Sequence, residues 1–159
     1  MDKIMKYFWP VTIAVAICFI VGIVSSRFQS EALVTWYPYL EKPAITPPAY
    51  VFPIAWSIIY LCMGASLGLA WYLPERLFKP VFRLFTLQLI LNFSWSLFFF
   101  ALHSPLAGFI NILLLDAIII AYIVKTSRVK AVSAWLFAPY LVWLAFATYL
   151  NGYIMVTNW

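Results

Sequence analysis

Three rows of aromatic, amide and small residues in this sequence repeat at the spacing of a single helix face. Residues three or four positions apart lie one above another on a helix, so each row would form a continuous strip. Indole and phenol rings in such strips can bury a flat aromatic molecule, and amides can hydrogen-bond to its polar edge. The rows are Trp56, Tyr60 and Met63; Gln88, Asn92 and Trp95; and Trp143, Ala147 and Asn151, with Leu150 beside the last.

The amides Gln88 and Asn92 allow two interpretations. An amide that faces hydrocarbon is costly unless it finds a hydrogen-bond partner, so this row should point into a bundle of helices. There the amides would either join two helices, through a bond worth under about 1 kcal/mol in membranes, or donate to a ligand. The row from Trp143 to Asn151 is equally compatible with plain core packing.

Asp116 is the only carboxylate within a predicted membrane span. An ionisable group at that depth is expensive and commonly marks a functional site. The alternative is a protonated or internally hydrogen-bonded structural residue, because no Lys or Arg deep within a span is available to pair with it. The sequence leaves both interpretations open.

Other chemistries are excluded by missing motifs. The chain has no nucleotide-binding glycine pattern, no HExxH and no CxxCH sequence. Cys18 and Cys62 fall within predicted spans, and the single histidine, His103, cannot form a multi-histidine metal centre. We therefore expect no metal and no resident cofactor, and neither an ATP-driven pump nor a covalent haem protein.

The composition is that of an integral membrane protein. Of the 159 residues, 66% are hydrophobic and 9% are charged, against about a quarter charged in soluble domains. Each bilayer crossing needs about 20 apolar residues, so the chain has room for one all-α bundle of five transmembrane helices. The first apolar run is longer than a signal-peptide core, which favours a retained helix. The predicted spans are residues 7–24, 49–72, 80–102, 105–124 and 132–156.

The first loop, residues 25–48, is unusually long. Loops of more than about 12–15 residues are uncommon unless they cover or form a site, or are disordered. Its aromatic and proline-rich composition argues against disorder. It could be a lid over a site or an aromatic belt at the level of the lipid headgroups, and these residues alone favour neither: Trp36, Tyr37, Tyr39, Leu40, Pro43, Pro47 and Pro48.

Small residues, a proline and the charge distribution predict packing and topology. Gly64 and Gly68 would allow another helix or a second subunit to approach closely, and Pro139 should kink or unwind the fifth span. Eight of the ten Lys and Arg residues lie at the amino terminus or in the second and fourth loops. The positive-inside rule then predicts a cytoplasmic amino terminus, with the long loop and carboxyl terminus outside. The net charge of +5 reflects this topology and anionic lipid rather than nucleic acid.

Three blocks of the sequence share their order and spacing with one family of membrane proteins. The first contains Trp36, Tyr37, Leu40, Lys42, Pro43, Pro47, Pro48, Val51, Phe52, Trp56, Tyr60, Met63 and Gly64. The others are LFTLQLILNFSW, residues 84–95, and PYLVWLAFATYLN, residues 139–151. Together they resemble the translocator protein family, also called tryptophan-rich sensory proteins and peripheral-type benzodiazepine receptors, over most of the chain.

This resemblance implies a five-helix bundle, often a homodimer, that binds porphyrins such as protoporphyrin IX, isoquinoline carboxamide or benzodiazepine ligands and, in animal members, cholesterol. It favours a lid over a belt and a ligand slot over plain core packing. Porphyrin carboxylates would seek donors such as Asn92, Gln88, indole N–H groups and Lys42. The implied lid is Trp36, Tyr37, Lys42, Pro47 and Pro48. The implied ligand site is Phe52, Trp56, Tyr60, Gln88, Asn92, Trp95, Leu114, Trp143, Ala147 and Leu150.

The sequence departs from the family pattern at two places. The chain has Leu106 to Gly108 where many members have a Trp near the start of the fourth helix, and Asn111 where they have an Asp. No basic residue follows Tyr153, so the cholesterol-type motif, itself a weak pattern, is incomplete. A bacterial cell-membrane protein that does not handle sterol is therefore favoured over a mitochondrial one.

Three functions are compatible with these observations. The first is a binding module, namely a porphyrin sensor, scavenger or carrier. The second is an enzyme-like degradation of bound porphyrin under light, with Trp56 and Trp143 as redox partners. The third, a transporter, is weakened by the absence of an obvious inverted repeat.

Overall fold

The computed structural model describes the backbone of residues 3–158 and the side chains of residues 5–158. Within that part, the chain is a bundle of α-helices joined by mostly short connections. A 3-10 turn, Tyr37–Tyr39, follows the second helix, and a π-helical turn, Leu97–Ala101, extends the fourth. The helices are α1 (Lys3–Arg27), α2 (Ala32–Thr35), α3 (Val51–Ala70), α4 (Glu75–Ser96), α5 (Pro105–Ser127), α6 (Ala131–Leu136) and α7 (Ala138–Thr157).

Five segments are long and apolar enough to cross a membrane, which confirms the predicted number of spans. They are formed by α1, by α3, by α4 with its π-helical turn, by α5, and by α6 with α7. Several predicted boundaries are displaced by a few residues. The first span continues to Arg27 instead of ending at residue 24, and the fourth continues to Ser127 instead of residue 124. The third begins at Glu75 instead of residue 80, since the Pro74 carbonyl already accepts bonds from two amides of α4.

Helices α1 and α3 pack closely along the glycine pair of α3. A Cβ atom placed on Gly64 would collide with the backbone of Val15, and one on Gly68 would collide with the backbone of Val11. The predicted close approach of another helix is therefore found within the chain. The same pair is covered by α1 and is not available to a second subunit, so the predicted homodimer would need another surface.

The fifth span is interrupted at Phe137, two residues before Pro139. Because proline lacks an N–H and restricts the residue before it, α6 ends here and α7 starts afresh. The break lets α6 dock on α3 through reciprocal bonds, in which the hydroxyls of Ser66 and Ser133 each donate to the other residue's carbonyl at 2.8 and 2.9 Å. The predicted disruption of this span is confirmed.

Candidate functional site

A cavity of about 710 Å³ lies between α1, α3, α4 and α7 and beneath the first loop. This volume falls within the range of about 300–1,000 Å³ that small-molecule sites occupy. Aromatic and aliphatic side chains dominate the lining, with hydroxyl and amide groups at intervals. The lining residues are Phe19, Gly22, Ile23, Ser26, Gln29, Leu33, Tyr37, Lys42, Thr46, Pro47, Ala49, Phe52, Pro53, Trp56, Ser57, Tyr60, Asn92, Trp95, Ser96, Phe99, Phe100, Ala147, Leu150, Asn151 and Ile154.

One wall of the cavity is a stack of rings on α3. Trp56 and Tyr60 are stacked with ring centroids 5.6 Å apart, and Phe19 of α1 meets the edge of Tyr60 at 5.8 Å. A Cβ atom on Gly22 would collide with the Tyr60 ring, so glycine at this position makes room for the phenol. Helix α1 thus shapes this wall as much as α3 does.

The opposite wall comes from the end of α4 and its π-helical turn. Trp95 is stacked on Phe99 at 5.3 Å, and Phe100 meets the edge of Trp95 at 5.6 Å. In a π turn the side chains rotate relative to an α-helix. Here neighbouring rings of Phe99 and Phe100 both face the cavity.

The polar groups that were expected to bind a ligand are largely occupied within the protein. The Asn92 amide donates to the Tyr140 hydroxyl at 2.8 Å and accepts from the Tyr60 hydroxyl at 3.4 Å. The Trp95 indole donates to Asn151 at 3.0 Å, and the Asn151 amide donates to the Pro105 carbonyl at 2.9 Å. These bonds fix the rings and hold α3, α4 and α7 together, so the walls are ordered before any ligand arrives.

A second polar group faces the cavity where α1 and α4 end. The hydroxyl of Ser96 accepts bonds from Ser25 at 2.7 Å and from the Gln29 amide at 2.8 Å. Among the described residues, the Ser96 proton and the Gln29 carbonyl have no partner. Ser96 and Gln29 line the cavity and therefore offer one donor and one acceptor to a bound molecule.

The loop over the cavity is held by Lys42. Its ammonium donates to the carbonyls of Tyr37, Pro38 and Leu40 at 2.8, 3.3 and 2.7 Å, which uses all three of its donors. Burial lowers the pKa of Lys42 and raises the pKa of the Tyr37 hydroxyl. The three carbonyls that accept from the ammonium stabilise its charged form against this effect of burial. Lys42 therefore holds the loop in its conformation and has no free N–H donor for a ligand carboxylate, which the resemblance implied.

The middle of the loop is fastened to the bundle at two points, Trp36 and Glu41. Trp36 stacks on His103 with centroids 4.7 Å apart and packs against Phe99 at 5.5 Å. Further along, the Glu41 amide donates to the Asn158 side-chain carbonyl at 2.8 Å, and the Asn158 amide returns a bond to the Glu41 carbonyl at 3.0 Å. The covering position of a lid is therefore observed, although Tyr39, which is 83% exposed, faces outward as a belt residue would.

Several predicted site residues do not line the cavity. Gln88 is fully buried and donates only to the Met63 sulfur, at 3.9 Å. Trp143 is not among the lining residues and meets the lining residue Phe52 in a T-shaped contact at 5.7 Å. Leu114 is 54% exposed and does not line this cavity, because α5 turns that face away from the bundle. In the loop, Trp36 serves as an anchor and Pro48 is exposed.

The polar residues of α5 also lie outside the cavity. Asn111 joins α5 to α4 by donating to the Leu91 carbonyl and accepting from Ser94, both at 2.8 Å. Asp116 joins α5 to α7 by accepting from the Thr148 hydroxyl at 2.7 Å, and its other oxygen is buried with no partner among the described residues. This geometry favours the structural interpretation of Asp116.

Sequence reasoning missed the contribution of α1 and of the π-helical turn. Ser25 and Ser26 lie in α1, beyond the predicted end of the first span, whereas Gln29 lies in the turn that follows α1. No sequence pattern singled out Phe99 and Phe100 within the apolar run that contains them.

Replacing Lys42 by Met should loosen the loop without unfolding the bundle. The change removes three charge-assisted hydrogen bonds, and a net loss of about 1.4 kcal/mol would raise the open population about tenfold. Hydrogen exchange of amides 37–46 should accelerate by that factor. Glu41→Gln is the matched control, because only the backbone of Glu41 is bonded to Asn158. Equal exchange in both variants would show that Lys42 does not hold the loop.

Together the fold and the cavity define a class: a five-span membrane protein with an aromatic-lined cavity between its helices, covered on one side by its first loop. The chain matches the TspO/MBR family over residues 14–156, and it belongs to that family. This membership supports a role as a membrane sensor or receptor.

Relatives from three kinds of organism match most of the chain. The tryptophan-rich protein TspO of Chlorobaculum tepidum is 36% identical over 96% of this chain and 98% of its own. TspO of Archaeoglobus fulgidus is 39% identical over 87% of this chain and 90% of its own. The human translocator protein is 35% identical over 80% of this chain and 78% of its own.

Proposed function

We propose that this protein is a membrane receptor or sensor that binds a flat aromatic molecule, of which protoporphyrin IX is the test case, in the cavity beneath the first loop. The observation that carries the proposal is the aromatic lining of the cavity. Trp56 and Tyr60 form one stacked pair in this lining, and Trp95, Phe99 and Phe100 form a second aromatic group. Ring walls held by internal hydrogen bonds favour a flat apolar ligand, because little side-chain ordering is needed when it binds.

The charges around the cavity favour a neutral or anionic ligand. Lys42 is the one charged residue among those that line it, and no carboxylate does. A cationic ligand would lose hydration and gain no counter-ion there. A ligand carboxylate or carbonyl would be attracted toward Lys42 and could accept from Ser96, while the Gln29 carbonyl is available to a ligand N–H.

The decisive experiment is a titration of the purified protein with protoporphyrin IX, followed by absorption and tryptophan fluorescence in darkness and then under light. Saturable quenching with an unchanged porphyrin spectrum is the expected result for a receptor. The absence of saturable binding would remove the functional proposal and leave the fold standing. If a substitution that fills the cavity leaves the quenching unchanged, the porphyrin binds at the surface of the protein instead of in the cavity.

A second candidate, oxidative degradation of the bound porphyrin under light with dioxygen as the oxidant, is favoured by one observation. Trp56 lines the cavity and contacts both Tyr60, at 5.6 Å, and the buried Tyr140, at 6.0 Å. Such a chain of oxidisable rings could carry an electron away from a bound pigment. Trp143, the other predicted redox partner, does not line the cavity and contacts it only through Phe52, which does.

Trp56→Phe and Trp143→Phe form a matched pair for this second candidate. If the protein degrades porphyrin through an indole in the cavity, Trp56→Phe should lower the yield of the new absorbing product at least about tenfold, while binding changes by less than about 1 kcal/mol. Trp143→Phe should leave the yield unchanged. Equal yields in wild type and both variants would eliminate the indole's redox role, and a stable spectrum in all three would eliminate degradation itself.

A further inference from the structure

Two lysines converge on a pair of tyrosines at the end of the bundle opposite the first loop. The Lys6 ammonium lies 4.2 Å from the centroid of the Tyr72 ring and 5.9 Å from that of Tyr7. The Lys130 ammonium lies 5.5 Å from the centroid of the same Tyr7 ring. Lys6 belongs to α1, whereas Lys130 immediately precedes α6, so two distant parts of the sequence bring two positive charges to one place.

The tyrosines hold this arrangement. Their rings meet edge-to-face with centroids 5.4 Å apart and planes at 85°. The Tyr72 hydroxyl donates to the Lys6 carbonyl at 3.0 Å, which ties the start of α1 to the end of α3. With the rings fixed, each ammonium rests on an aromatic face and leaves its remaining N–H groups pointing away from that face.

Neither ammonium has a counter-ion among the described side chains. The one ion pair there joins Lys79 to Glu75 at 2.6 Å, at the start of α4, and no side-chain hydrogen bond among the described residues involves the Lys6 or Lys130 ammonium. Two like charges beside one ring repel each other. Both ammonium groups lie within 6 Å of the Tyr7 ring centroid, so their positive charges add at this end of the bundle and attract an anion.

We propose that Lys6, Tyr7, Tyr72 and Lys130 form a binding site for the phosphate of an anionic phospholipid headgroup. The location favours lipid as the source of that phosphate. The site lies at the end of three membrane-crossing segments, and nearby Trp9 and Trp71 are exposed, as is typical of side chains at the membrane interface. Tyr7 provides an apolar floor on which the glycerol part of a headgroup can rest. The site is separate from the cavity beneath the first loop.

The test compares melting temperatures of the protein in nanodiscs of phosphatidylcholine and in nanodiscs of equal parts phosphatidylcholine and phosphatidylglycerol. Specific binding should raise the melting temperature of the wild type by about 5 °C in the anionic lipid. In Lys6→Gln/Lys130→Gln this increase should vanish. Native mass spectrometry should detect a retained phosphatidylglycerol on the wild type that the double variant lacks.

Lys125→Gln/Arg128→Gln is the matched control, because it removes the same charge from exposed positions at the same end of the bundle. It should keep the full increase. If both double variants lose it equally, diffuse attraction to anionic lipid explains the effect and the site is refuted. Asp2→Asn removes a carboxylate four residues before Lys6 in the sequence and should keep the lipid effect. If inorganic phosphate in detergent reproduces the wild-type increase, the commitment to a lipid headgroup is overturned.

Discussion

Replacing Ala147 by Phe is expected to lower the affinity for protoporphyrin IX about 100-fold, which corresponds to about 2.7 kcal/mol. Ala147 lies on α7 and lines the cavity together with Trp56 and Trp95. The space behind these residues is a void of only about 10 Å³, so a phenyl ring at this position must project into the cavity. It would then occupy volume that a flat ligand needs.

Fluorescence titration measures this effect, and Val142→Phe provides the control. Val142 lies on the same helix but faces outward, so the added ring there meets lipid and should leave affinity unchanged. A circular-dichroism melting curve should be similar for both variants, which separates a blocked cavity from an unfolded bundle. Wild-type affinity in folded Ala147→Phe would place the ligand elsewhere and contradict the proposed site.

The second large effect is expected for Gly64→Ala, which should destabilise the protein by about 3 kcal/mol. The added methyl group would meet the backbone of Val15, which cannot rotate away as a side chain can. Helices α1 and α3 would have to separate, and α1 carries Phe19 and Gly22 of the cavity wall. Loss of stability should therefore be accompanied by loss of ligand binding.

Unfolding in a detergent titration tests this expectation, with Gly152→Ala as its counterpart. A Cβ atom on Gly152 would meet only the edge of the Phe109 ring, at 3.0 Å, and a ring can shift. That variant should lose about 1 kcal/mol or less. Similar losses in the two variants would mean that helix propensity, and not the contact with α1, determines the cost.

Helical spacing predicted best which residues face the inside of the bundle. Trp56 and Tyr60, and likewise Asn92 and Trp95, lie side by side along the cavity, because an amphipathic row in a membrane bundle must turn its polar and aromatic side inward. Their role in binding a ligand stays a prediction.

Position along a helix could be predicted, whereas the direction in which a uniformly apolar helix faces could not. Helix α5 is apolar nearly all round, so nothing in the sequence showed that Leu114 faces outward. In the same way α1 has no polar stripe before Ser25, and its wall of the cavity was missed. Gln88 illustrates the remaining error, since the core and the cavity are both inside the bundle and hydrophobic spacing does not separate them.

The bonds between Glu41 and Asn158 also set an order of events during synthesis of the chain. The two residues are 117 positions apart, and a ribosome adds about 5–20 residues per second. Asn158 is therefore synthesised at least about 6 s after Glu41, and up to about 23 s after it at the slower rate. The first loop, made early, is thus among the last parts to be secured, and the nascent protein passes through a stage in which the walls from α1, α3 and α4 are in place but their cover is not yet fastened.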